Sequence, residues 1–240
     1  MRQVGDGMQL SEQERLFLGV VEQLARPLLA VSHVSELALT GDSATTEQWQ
    51  TVQALTNSSL RLVESYSLSL RVQGKLTPLS LEPVTVSSLL YDTAERLGPF
   101  ARRYGVDIEL DTGPRAQPVV ADRTVLQSAF ESLGQVFIVA QAEGDGRTSL
   151  RLSAHRSRHG VVAGCYGNAV ALGADSLRRA RSIQGSARQP IQQLVNGPAA
   201  GVFVADSLLQ TLAAHLHVAR YHNMAGLAAT LQPSKQLRLV

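Results

Sequence analysis

Two long apolar stripes at helical spacing dominate the first third of the chain. Between residues 9 and 39, Phe17, Val20, Val21, Leu24, Leu28, Val31, Val34 and Ala38 recur at steps of three and four. That period places them on one face of a helix. Ser11 and Glu14 have capping-box spacing at its start. Pro27 lies inside the pattern, where it removes a backbone hydrogen bond and bends the helix. Gly41-Asp42-Ser43 reads as a turn. A second stripe of Trp49, Val52, Leu55, Leu62, Val63, Tyr66 and Leu70 predicts a helix from Thr45 to Gln73, and Gly74 is placed to end it. Two antiparallel helices are only half a bundle. Covering both flanks of these stripes calls for a second copy, so a homodimer closed as a four-helix bundle is expected.

From Leu76 the texture changes. Residues 79–84 read as a short strand, and Val86–Tyr104 as a helix carrying Leu89, Leu90, Ala94, Leu97 and Phe100. Val106–Asp111 alternates and reads as a strand. Asp122–Gln141 is a further striped helix. Leu150–Ala154 and Val161–Tyr166 are expected to pair across a turn at His155–Gly160. Residues 173–200, rich in Gly, Ser, Arg and Gln, read as a loop. Val202–Leu216 reads as a helix, and Val218–Tyr221, Leu227–Leu231 and Leu237–Val240 as strands. The expected class is α+β: a helical hairpin over residues 1–75, then an α/β sandwich over 76–240 with helices on one face of a mixed sheet.

Composition narrows the function classes. A 44% hydrophobic content supports a sizeable core, and with 5% aromatics that core is mostly Leu, Val and Ala. Net charge is +2 without runs of like charge, which argues against direct nucleic-acid binding, since phosphates need a clustered basic face. Cys165 is the single cysteine, so an internal disulfide is excluded and a small buried hydrophobe is expected. No stretch approaches the ~20 apolar residues of a membrane span, and the polar N-terminus lacks a signal-peptide core. A cytoplasmic chain without membrane contact is expected.

The stretch Phe17–Leu37, FLGVVEQLARPLLAVSHVSEL, resembles the phosphoacceptor helix of bacterial sensor histidine kinases, in which a histidine stands five residues before a Pro-Leu pair. Here the pair is Pro27-Leu28, and Glu22 stands at the acceptor position. Gly74–Asp111 resembles the family's segment joining its two domains, and Val120–Leu133 its ATP-binding helix. The resemblance covers nearly the whole chain. It implies a dimerisation hairpin followed by an ATPase domain of the gyrase and heat-shock type. Histidine phosphotransferases of that shape are similar as well.

The chemical motifs depart from the family. Its ATP-binding helix carries two asparagines one turn apart, the second a magnesium ligand; Ser132 and Val136 stand there. Valine offers no lone pair to a metal. The family's adenine-binding Asp-x-Gly-x-Gly turn falls on Gly167-Asn168-Ala169-Val170-Ala171, which has no acid. The phosphate-binding glycine turn falls on Gly197–Val204, where Gly201 matches one glycine and Phe203 replaces another. Each lost contact costs about 1–3 kcal/mol, and several together move a micromolar site to about millimolar or weaker. A carboxylate at Glu22 cannot serve as the phosphohistidine nucleophile. The resemblance therefore implies a pseudokinase with no catalytic residue, no cofactor and no metal. Its cleft of Ser132, Val136, Gly167, Ala169, Ala171, Gly201 and Phe203 would be vestigial.

Glu22, Arg26, Leu29 and His33 follow one another at steps of four, three and four, on the helix face away from the core stripe. In the family the corresponding surface docks the receiver domain of a response regulator. The expected partner is such a receiver or a true histidine kinase, the function being modulation of signalling or transcription. Three alternatives stay open: a histidine phosphotransferase using His33 as a displaced acceptor, a divergent kinase that still binds ATP, and a structural or transcriptional scaffold that uses the old nucleotide cleft for a protein or another small ligand. His155 and His159 are expected to flank a solvated turn, and His215, His217 and His222 lack clean zinc spacing.

Overall fold

In the computed structural model the described residues are 28–29, 31–32, 34–36, 45–113, 118–142, 148–167, 175, 177–178 and 199–234. Most of the predicted first helix, the Gly41-Asp42-Ser43 turn, most of the 173–200 loop and the Leu237–Val240 strand lie outside them. The described residues between 28 and 36 are helical, with Leu28 and Leu29 exposed and Val34 buried.

Helix α1 spans Thr46–Gln73. Thr45 caps it through a reciprocal box: the Gln48 backbone N–H donates to the Thr45 hydroxyl, and the Thr45 N–H donates to Gln48 Oε1 at 2.7 Å. At the other end the Gly74 N–H donates to the Leu70 carbonyl. Two faces of α1 differ in fate. Leu62, Ser65, Ser69 and Val72 are buried, and the helix packs on the three helices of the α/β layer. Trp49, Leu60, Val63 and Leu70 are exposed. The single stripe read from the sequence is thus split: Leu62 packs inward while Trp49, Val63 and Leu70 face away.

Strand β1 (Glu82–Val84) pairs antiparallel with β3 (Val119–Ala121), a strand too short for its alternation to be read in the sequence. Helix α2 covers Val86–Arg103, and β2 runs Val106–Thr112. Helix α3, Arg123–Ala142, begins at Asp122, whose carboxylate accepts from the N–H groups of Ser80 and Val125. Strands β4 (Thr148–Ser157) and β5 (Gly160–Gly167) follow, then helix α4 (Ala199–Thr211), β6 (Leu216–Tyr221) and β7 (Met224–Leu231).

The five-stranded sheet has the order β2-β4-β5-β7-β6, with β2 parallel to β4 and the other pairs antiparallel. Alternate residues Leu150, Leu152, Ala154, Val161, Ala163, Cys165, Leu227, Ala229 and Leu231 face one core with Leu89, Leu97, Phe130, Phe137 and Leu208 of the helices. Cys165 is free, and burial pushes its thiol far up.

Several boundaries move: β1 starts only at Glu82, α4 already at Ala199 inside the predicted loop, and β7 already at Met224. His155 lies inside β4, so the connection to β5 shrinks to residues 158–159. Leu216 is strand, not helix: α4 stops at Thr211, Ala213 adopts a positive φ of 55°, and the Leu216 N–H donates to buried Asp206. On the sheet's other side Tyr221 stacks on His155 at 5.1 Å and lies 5.4 Å from Tyr166. Burial pushes the Tyr166 hydroxyl up to about 12.

Candidate functional site

The residues assigned from sequence to a cleft lie on α3, at the end of β5 and at the start of α4. Ser132 and Val136 stand one turn apart on α3, and both are buried. The Ser132 hydroxyl has no hydrogen-bond partner, and the Val136 side chain sits in the hydrophobic core with 1% exposure. Gly167 is the last residue of β5, and the carboxamide of Gln141 fills the volume that a side chain at 167 would take. Gly201 is buried near the start of α4. Phe203 is buried too and belongs to the same core, so its ring packs inward. Ala169 and Ala171 lie outside the described residues, as do Glu22, Arg26 and His33. Leu29 is 68% exposed.

These side chains supply little chemistry. The described members of the cleft carry no carboxylate, imidazole or cation. Among the described residues no three or more His, Cys, Asp or Glu are grouped to hold a metal. Apolar packing of Val136 and Phe203 follows from the continuous hydrophobicity of both helices: α3 and α4 face each other across a shared core.

A polar cluster that the sequence reading missed lies where α1, α2 and α3 meet. Glu131 is buried on α3, 3.3 Å from Arg96 of α2, and accepts from Gln127 Nε2 at 3.1 Å. Arg61 of α1 donates to the Arg96 carbonyl at 2.5 Å. Burial raises the Glu131 carboxyl above its ordinary value, and the attractions of Arg96 and Arg61 only partly offset this. The available signal was the polar row Gln127, Glu131, Gln135, at helical spacing inside an apolar helix. A second ion pair crosses β2 and β4: Arg151 donates twice to Glu109 Oε2, at 3.0 and 2.6 Å, and holds that carboxyl below its ordinary value.

No protein-family model and no curated protein matches the sequence. Solved structures do resemble the fold. Against the histidine kinase AdeS of Acinetobacter baumannii the TM-score is 0.56 at 12% identity, covering 88% of this chain and 97% of that one. Against full-length ShkA in complex with AMPPNP it is 0.55 at 19% identity, covering 90% of this chain and 46% of that one. The catalytic domain of the histidine kinase ThkA gives 0.51 at 13% identity, over 65% of this chain and 97% of that one. No helix among the described residues is long and apolar enough to cross a membrane. The chain has the fold of a histidine-kinase catalytic core.

Proposed function

We propose that this chain is a histidine-kinase-like signalling protein without kinase chemistry, which binds a two-component partner and modulates its output. The observation that carries the reading is Val136. At the position that the resemblance aligns with the family's magnesium ligand, this chain has a side chain without a lone pair, buried in the core. Phe203, packed in the same core where a phosphate-binding glycine is expected, adds to it. The proposed partner is a receiver domain or a true histidine kinase, docking on the helix face of Glu22, Arg26, Leu29 and His33.

The reading includes a homodimer. Trp49, Leu60, Val63 and Leu70 of α1 form an apolar face turned away from the α/β layer, the kind of surface that a second hairpin covers. The deciding experiment is calorimetric titration with Mg-ATP. The expected result is no binding up to about millimolar nucleotide. Micromolar binding would overturn the reading and return the chain to the divergent kinases.

A further inference from the structure

A groove of about 630 Å³ opens between the first half of α1 and the last turn of α2, and shares no residue with the vestigial cleft. Polar side chains line it beside the apolar surface of Ala54 and Pro99. From α1 come Glu47 and the carboxamides of Gln50, Gln53 and Asn57, which share one helix face. From α2 come the guanidinium groups of Arg102 and Arg103. Arg103 is already engaged, 3.5 Å from Glu47, but Glu47 is largely exposed and Arg103 partly so. Such a pair contributes little in water and yields to a competing anion. Arg102 has no carboxylate partner among the described residues.

We propose that this groove binds a small organic dianion, a dicarboxylate or a phosphate monoester. Arg102 and Arg103 would take its charged ends, because a guanidinium fork matches the two oxygens of a carboxylate or phosphate. The three carboxamides, each with donor and acceptor, meet the remaining polar groups. The volume falls within the roughly 300–1,000 Å³ usual for small-ligand sites, which favour such junctions between packed units. The walls belong to different elements, so a bound dianion ties the hairpin helix to the α/β layer. Glu47 then competes with the ligand for Arg103.

Calorimetry on the whole chain with succinate and with glycerol 3-phosphate tests this. At least one probe is expected to bind with a Kd of about 1 mM or tighter. Binding of succinate alone assigns a dicarboxylate, and binding of the phosphate ester alone a phosphate monoester. Arg102→Gln is expected to weaken binding about tenfold. Glu47→Gln is expected to tighten it, because the internal competitor is gone. If Glu47 and Arg103 serve only to hold the helices together, Glu47→Gln lowers thermal stability and tightens nothing. Absence of binding by both probes at about ten times that concentration overturns the proposal, as does affinity that neither substitution changes.

Discussion

The carboxamide of Gln141 occupies the space that a β-carbon on residue 167 would need. Close approach thus demands glycine here, since Gly167 is not among the residues with positive φ. The contact ties the end of α3 to the end of β5. It also leaves both amide atoms of Gln141 without hydrogen-bond partners, a cost of about 1–3 kcal/mol. A packed, uncompensated carboxamide thus fills the space beside Gly167.

Gly167→Ala is therefore expected to lower stability by about 1–3 kcal/mol in urea denaturation, through overpacking against Gln141. Gln141→Ala removes both the obstruction and the orphaned amide. Combined with Gly167→Ala it should recover most of the loss. Simply additive effects would show that the two residues do not share this space.

Glu131 makes stability depend on pH in an uncommon direction for a carboxylate. Its folded value lies above the ordinary 4.5 because burial outweighs the attractions of Arg96 and Arg61. The folded state therefore holds this proton more tightly than the unfolded state. The resulting contribution is full below the ordinary value and is lost as pH rises through the raised one. Glu131→Gln is expected to flatten that part of the profile and to equal or exceed the parent at about pH 8, where Arg96 keeps its solvation. Denaturant midpoints across pH check it; a variant weaker than the parent at alkaline pH would mean the ion pair is net stabilising.

Glu109 acts in the opposite sense. Arg151 lowers its carboxyl, so its contribution is present above the ordinary value and lost as pH falls through the depressed one. Both partners are partly solvated, and the effect of Glu109→Gln at neutral pH should stay within about 1 kcal/mol. A larger loss in the same midpoint measurements would mean that β2 depends on this pair for its place at the sheet edge.

What the sequence revealed was what local chemistry determines. The Thr45–Gln48 box and Gly74 mark the ends of α1, and the alternation in residues 106–111 marks β2. What it hid depends on distant partners. β3 has three residues and exists through pairing with β1 and through the Val120 N–H donating to the Gln232 carbonyl. Leu212, Ala213 and Ala214 continue an apolar run that looks helical, yet the chain turns there so that Asp206 can cap β6. At Ser132 and Val136 the sequence showed the residue types that the resemblance sets against the family's asparagines. Their burial it did not show, because that follows from α4 lying against α3.

The proposed docking face is tested separately from the nucleotide site. Leu29 is an exposed apolar residue, and Leu29→Glu is expected to abolish capture of the receiver or kinase partner while leaving the oligomeric state intact. Arg26→Glu should do the same by reversing a charge on the face that the sequence spacing assigns to it. Surface-resonance binding alongside light scattering reads both quantities. Unchanged partner affinity in both variants would remove this face from consideration.

The last expectation concerns the open side of α1. Trp49, Val63 and Leu70 leave apolar surface in water although Ser65 and Ser69 of the same helix are buried against the α/β layer. Burying side chains of this size is worth roughly 1.5–3 kcal/mol each, so the exposed face is the stronger source of association energy. Val63→Glu with Leu70→Glu should convert a dimer to monomers in light scattering. Circular dichroism should stay unchanged, because neither side chain belongs to the core that α1 shares with the helices of the α/β layer. A parent chain that is already monomeric at about 10 μM would instead show that the face is covered within one chain or serves a different protein.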